Sequence, residues 1–126
     1  MKKKPAMRYL LNGKEYPCPI ELAVSVFAGR WKVSIICQLF KEKKRYGELK
    51  KNIIGVNHKM LAEQLRELEE AGIVKREVYP VVPPKVEYEL TELGQGLGPV
   101  IEYLREWGEH FHTEAPEESL STAHGS

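Results

Sequence analysis

The sequence predicts an α+β fold in which two helices meet at a tight turn and a β-hairpin follows, with further helices added at the N- and C-terminal ends. Three observations carry this. A short helical run, Tyr46 to Asn52, and a longer one that opens at Asn57 and closes at Gly72 are separated by a turn at Gly55. Two β-rich runs follow at once, 73–79 and 85–90, joined by the stiff tip Pro80-Val81-Val82-Pro83-Pro84. The charge is segregated. From Arg30 to Lys59 nine Lys/Arg face two Glu, a net +7, whereas from Glu87 to Glu118 nine Glu face only Arg105, a net −8. Helix, turn, helix and hairpin in that order make a winged helix-turn-helix, whose second helix is the one presented to a DNA major groove. The overall balance of +1 says little about partners. Its placement over the helix-turn-helix points to double-stranded DNA.

The elements follow in chain order. Residues 1–16 read as a basic arm ending in a possible short hairpin: Arg8–Leu11 and Lys14–Tyr16 flank Asn12-Gly13, a two-residue turn signal. Pro17-Cys18-Pro19 then interrupts regular structure. A first helix is predicted from Pro19 or Ile20 to Ala28, with Ile20, Ala23, Val24 and Phe27 on one stripe, and Gly29 ends it. A second runs from Trp31 to about Lys41. Trp31, Ile35, Gln38 and Leu39 lie on one side, and Val33, Ile36 and Phe40 nearly opposite, so it should be the buried central helix, with Cys37 in the core. Arg45-Tyr46 can add a short strand beside the wing, and the third helix, 47–53, turns Leu49 and Ile53 inward. In the fourth, Asn57 is a good N-cap, Leu61, Leu65 and Leu68 form an i, i+4, i+7 stripe, and Gly72 suits the position just past the helix end. Along the wing Val74, Arg76 and Val78 alternate with Lys75, Glu77 and Tyr79, and Val86, Tyr88 and Leu90 with Glu87 and Glu89, the period of a half-buried hairpin. A last helix is predicted from Thr91 to about Phe111, bent or broken near its start by Gly94, Gly96, Gly98 and Pro99. Residues 17–112 thus form the folded domain and 113–126 a polar tail expected to be disordered.

At 126 residues, 42% hydrophobic and 29% charged, the chain fits one domain with a modest core. No apolar run approaches the ~20 residues that cross a bilayer, so no membrane partner is expected. The start MKKKPAM lacks the apolar segment of a secretion signal, which leads us to expect a cytoplasmic protein. Two cysteines do not make a disulfide scaffold. No metal site is expected: His58, His110, His112 and His124 lack Cys or carboxylate partners at zinc-like spacing. No cofactor site or catalytic residue is expected either, because no phosphate-binding glycine loop follows a strand and no nucleophile is paired with a base.

The residues expected to meet DNA lie in three places. On the fourth helix, opposite its leucine stripe, stand Lys59, Glu63 and Arg66, with Asn57 and His58 at the N-terminal turn, the part of a recognition helix that reaches base edges. Asparagine can pair with adenine and lysine with guanine or phosphate; Glu63 repels phosphate but can accept from cytosine N4. Lys43, Lys44 and Arg45 ahead of the third helix are expected to hold phosphates, which position a protein without reading sequence. Lys85 is the one obvious contact at the wing tip. The alternative is a winged helix that binds protein instead of an operator; its mark would be an acidic or apolar recognition face. Cys18 lies outside regular structure near a helix start and close in sequence to Lys14, features that favour thiolate, while Glu15 and Glu21 oppose it. An inert thiol wedged against Pro17 is the other reading. Leu104, Trp107 and Phe111 on the last helix exceed what a small winged helix needs for its own core. With Ile20, Val24 and Phe27 they form a surface expected to bury against a second subunit.

The segments CPIELAVSVFAGRWKVSIICQLF, RYGELKKNIIGVNHKMLAEQLRELEEAGIVKREVYPVVPPKVEYELTELG and EWGEHF together resemble the HxlR-type winged-helix transcriptional regulators, relatives of the MarR class, over residues 17 to 111. The resemblance implies a homodimer on a palindromic operator, with the first and last helices at the dimer interface. It also implies that Cys18 stands where some members sense oxidants, quinones or aldehydes; the small-molecule effector is left open. The chain departs from the family pattern at Ala28-Gly29-Arg30-Trp31, where Gly-Gly-Lys-Trp is usual, and at Asn57-His58, where Ser-Gln is more frequent. The second departure bears on which operator is read.

Overall fold

The computed structural model describes residues 7–27 and 29–114. The basic arm at 1–6, the expected last helical residue Ala28, and the tail from 115 onward lie outside the described residues. The chain opens with a hairpin, β1 (Tyr9–Leu11) and β2 (Lys14–Tyr16), paired antiparallel with Tyr9 opposite Tyr16. Its turn places both Asn12 and Gly13 at positive φ, 49° and 79°, the backbone that an Asn-Gly pair tolerates best. The Asn12 amide donates to the Glu67 carbonyl at 3.2 Å, which ties this hairpin to the helix-turn-helix.

Helices α1 (Pro19–Phe27) and α2 (Lys32–Lys41) follow. Ile35, Ile36, Gln38 and Leu39 of α2 are all buried, as its apolar sides predict. Next come β3 (Lys44–Arg45), α3 (Tyr46–Asn52) and α4 (His58–Glu70), then the wing strands β4 (Val74–Tyr79) and β5 (Lys85–Leu90). The three strands form one antiparallel sheet in the order β3-β5-β4, with Lys44 opposite Tyr88 and Val74 opposite Leu90. The extra strand therefore exists but starts one residue before the expected Arg45-Tyr46, and α3 accordingly starts at Tyr46. Leu49, Ile53, Leu61, Leu65, Leu68, Ile73, Tyr88 and Leu90 close a single core with Trp31 and the buried face of α2.

One expectation is corrected. The alternation along β4 predicts a half-buried strand, but only Val74 is buried and Val78 is 54% exposed. β4 is an edge strand, and from Lys75 to Val78 it is exposed. The break expected near the start of the last helix is present: α5 (Glu92–Gln95) and α6 (Gly98–Gly108) are separate helices, followed by a 3₁₀ turn at Glu109–Phe111. The break falls where Gly96, Gly98 and Pro99 weaken the helix. Thr91 caps α5 by accepting from Gly94 N–H at 3.1 Å.

Candidate nucleic-acid interface

Helix α4 is amphipathic by construction. Leu61, Leu65 and Leu68 are buried, so the opposite face must look outward, and Lys59, Arg66 and Glu70 are exposed there with Glu63 half-buried. Among the described residues, neither Lys59 nor Arg66 forms an ion pair. At the N-terminal turn, Asn57 Oδ1 accepts the Met60 N–H at 2.8 Å. The cap predicted from sequence is thus made, and it commits the asparagine oxygen, leaving the amide N–H2 group toward solvent. His58, the first residue of α4, is exposed; its ring lies nearly parallel to that of Tyr46, 6° apart with centroids at 5.7 Å. The Tyr46 hydroxyl lies 3.1 Å from both His58 Nδ1 and the His58 carbonyl. Tyr46 escapes a reading of local periods because its partner is twelve residues away, on a different helix.

The basic residues ahead of α3 separate. Arg45 is exposed, and its N–H donates to Glu48 at 2.9 Å, which fixes the entry to α3. Lys44 is the correction: expected on the phosphate-facing surface, it is 6% exposed, with its ammonium 3.3 Å from Glu42. Its place in β3 opposite Tyr88 aims the stem into the molecule, and only the tip reaches a carboxylate. Lys43 is outward, 3.6 Å from Glu87, and Lys85 approaches the same carboxylate at 3.7 Å while lying over the Tyr79 ring at 5.0 Å. Glu87 thus gathers two of the lysines expected to hold phosphate. The Tyr79 hydroxyl, then Lys85 and Lys43, hold its carboxyl below the ordinary carboxylate range, and Tyr79 and Glu87 in turn raise Lys43 above its ordinary value. A phosphate arriving at this side of the wing therefore competes with a carboxylate that stays ionised at neutral pH.

The two thiols differ. Cys18 is the N-cap of α1: its Sγ accepts the Glu21 N–H at 3.4 Å and donates to Glu21 Oε2 at 3.6 Å. The ammonium of Lys14, close to it in sequence, sits over the Tyr16 ring at 5.4 Å. Cys37, expected in the core, is half-buried and lines a cleft between α2 and α6 with Phe40, Lys41, Ile101, Glu102 and Arg105. The strip of α2 turned away from Ile35 and Leu39 faces Gly98 and Ile101 of α6 across this cleft. Burial raises the Cys37 thiol above its ordinary value.

The expected subunit surface is open. Ile20, Val24 and Leu104 are exposed, Phe27 is half-buried, and together they line a groove between α1 and α6. Trp107 and Phe111, 65% and 68% exposed, pack on each other with centroids at 5.0 Å. Among the described residues no helix is long and apolar enough to cross a membrane, and no three His, Cys, Asp or Glu cluster as metal ligands would.

Residues 26–116 match the model of the HxlR-like helix-turn-helix family. Over 101 residues the chain is 44% identical to an HTH-type transcriptional regulator of Methanothermobacter thermautotrophicus, covering 80% of this chain and 77% of that one. The redox regulator HypR in its oxidised form resembles it with a TM-score of 0.70 at 44% identity, over 77% of this chain and 100% of HypR. The reduced form of the transcriptional regulator YodB from B. subtilis gives 0.71 at 40% identity, over 79% of this chain and 98% of YodB.

Proposed function

The chain belongs to the HxlR-like helix-turn-helix family, a class of transcriptional regulators and not of enzymes, and from that premise we propose that it is a cytoplasmic homodimer binding a palindromic operator in double-stranded DNA. The observation that carries the reading is α4. Its leucine face is consumed by the core, and its outward face offers Lys59 and Arg66, with Asn57 and His58 at the end that meets base edges. Arg45, Lys43 and Lys85 flank it as phosphate contacts, and Glu63 accepts from a base amine. Two such helices, one per subunit, enter successive major grooves about 34 Å apart, and the wings lie beside them. The outward face is neither acidic nor apolar, so nothing on it favours a protein partner over DNA.

Binding should weaken steeply with salt, with a log–log slope of roughly −0.9 for every phosphate neutralised. Titrating a duplex selected from random sequence between low and physiological salt tests this. Undetectable or salt-independent binding to every duplex in the pool would turn the reading toward a protein-binding module.

Response to oxidants or electrophiles is the second part of the proposal, and Cys18 carries it. HypR is a redox regulator by name. In this chain the Cys18 sulfur caps α1, whose outward stripe belongs to the proposed dimer surface. Alkylation replaces the thiol proton by carbon and places bulk at that cap. The start of α1 must then move, and with it the angle between the two reading helices.

A further inference from the structure

We propose that Tyr46 locks His58 in the Nδ1–H tautomer, so that its Nε2 meets DNA as a hydrogen-bond acceptor and selects a base carrying an exocyclic amine, adenine or cytosine, at one position of each half-site. The inference rests on the DNA-binding reading and deepens it.

The argument is a count of hydrogens. The Tyr46 hydroxyl lies 3.1 Å from the His58 carbonyl oxygen and 3.1 Å from His58 Nδ1. A hydroxyl carries one hydrogen, and a carbonyl oxygen can only accept. We assign the hydroxyl hydrogen to the carbonyl, the arrangement in which both contacts are hydrogen bonds, and the phenol oxygen then accepts from Nδ1–H. A neutral imidazole with its proton on Nδ1 has a bare lone pair on Nε2. The two rings lie nearly parallel, 6° apart, so the contact with the hydroxyl is made at the edge of the imidazole. Among the described residues, nothing hydrogen-bonds Nε2, and His58 is exposed at the first position of α4. Tyr46 is in turn held from below: it starts α3, is half-buried and packs against the core. The fold thus supplies a fixed acceptor at the end of the recognition helix.

The major groove distinguishes the bases by such polarity. Adenine N6 and cytosine N4 are donors, whereas guanine O6 and thymine O4 are acceptors and would set lone pair against lone pair. His58 is therefore the specificity-determining residue and Tyr46 the positioning residue behind it. An imidazole in the other tautomer would present a donor, which guanine, thymine and the N7 of adenine can all accept, so only the Nδ1–H form singles out the amine-bearing bases.

Two measurements on the full chain test this. Long-range proton–nitrogen NMR spectra at about pH 8 should show His58 protonated on Nδ1 in the wild type and mainly on Nε2 in Tyr46→Phe. That substitution keeps the ring and removes only the hydroxyl, and an unchanged melting transition shows the fold intact. Selection from random duplexes should give adenine or cytosine at one position per half-site. Tyr46→Phe and His58→Ala should each lower that preference roughly five- to hundredfold with the salt slope unchanged, and the double variant should lower it no further. A wild-type His58 protonated on Nε2, or a base preference that both single variants leave intact, overturns the inference while DNA binding stands. A wild type that binds no duplex at all overturns the DNA-binding reading, and the base-recognition half of this inference with it, whatever the tautomer.

Discussion

Among single residues, Lys44 and Cys18 show how far chemistry depends on placement. A lysine between Lys43 and Arg45 reads as one more phosphate contact, yet Lys44 is 6% exposed and its ammonium meets Glu42. Removing it should act on folding. Lys44→Ala should lower the unfolding free energy by about 1–3 kcal/mol, the range for a lost buried stem and a broken ion pair. It should leave the folded protein's DNA affinity unchanged, and Lys44→Met should recover most of the stability. An unchanged denaturation midpoint with weakened binding to all sequences would put the lysine back on the DNA-facing surface. The thiols separate by a different argument. Burial raises Cys37 above the ordinary thiol range, so less of it is thiolate at neutral pH, and thiolate is the form that reacts. Dilute iodoacetamide near neutrality should label Cys18 faster, with Cys37 catching up only as pH rises beyond the ordinary thiol value. Cys18→Ser keeps a good N-cap, so it should bind DNA normally and ignore electrophiles. Equal labelling rates, or a Cys18 adduct that binds DNA as tightly as the free thiol form, would remove Cys18 from the sensing role.

Elements depend on close approaches as much as on local pattern, and Gly94 is the clearest case. A Cβ there would run into the carbonyl of Ile73 and press on Leu90 at 3.2 Å, while that carbonyl already accepts the Thr91 N–H at 2.9 Å. Gly94→Ala should therefore cost about 1–3 kcal/mol through overpacking where α5 meets the wing base. Gly108→Ala, with nothing within 4 Å of the new atom and φ of −63°, should be neutral or gain up to about 1 kcal/mol from helix propensity. Thermal melts of the two variants check this, and equal melting temperatures would refute the steric account. From sequence, Gly94 looks only like a helix breaker; that it lies under a strand is set by how the chain returns. The same distinction explains what was legible. Helix α4 carries all its signals within itself: the Asn57 cap, the 61/65/68 stripe and Gly72 at φ 77°. The hairpin was legible as two strands, but the exposure of Val78 was not, because alternation says which face could be buried and not where the core ends. Cys37 failed likewise, its surroundings being decided by the gap beneath α6. The Tyr46–His58 contact depends on the crossing of α3 and α4, which no local period encodes.

At the scale of the whole molecule, α6 has two jobs. Ile101 turns into the core, while Val100, Tyr103, Leu104 and Trp107 turn outward beside Ile20 and Val24 of α1. A monomer rarely leaves so much contiguous apolar and aromatic surface to water, and a two-fold copy of the same surface is self-complementary cover for it. The arrangement also offers a route from the proposed sensing at Cys18 to the proposed reading of DNA. Cys18 caps the helix that forms one wall of this surface, and α2 packs against both α1 and α4, the proposed recognition helix. Leu104 is the place to break it, because it lines both the groove against α1 and the hollow around Trp107. The wild type should sediment as a dimer at micromolar concentration. Leu104→Glu should sediment as a monomer with its helical circular dichroism retained, since the residue is exposed within one subunit and owes nothing to the core. Affinity for a full palindrome should then fall to that for a single half-site, because the second contact is no longer held at high effective concentration. A wild type that is monomeric at that concentration, and a Leu104→Glu variant that binds the palindrome as tightly as before, would together mean that one subunit reads the operator alone, and the apolar face of α1 and α6 would need another purpose.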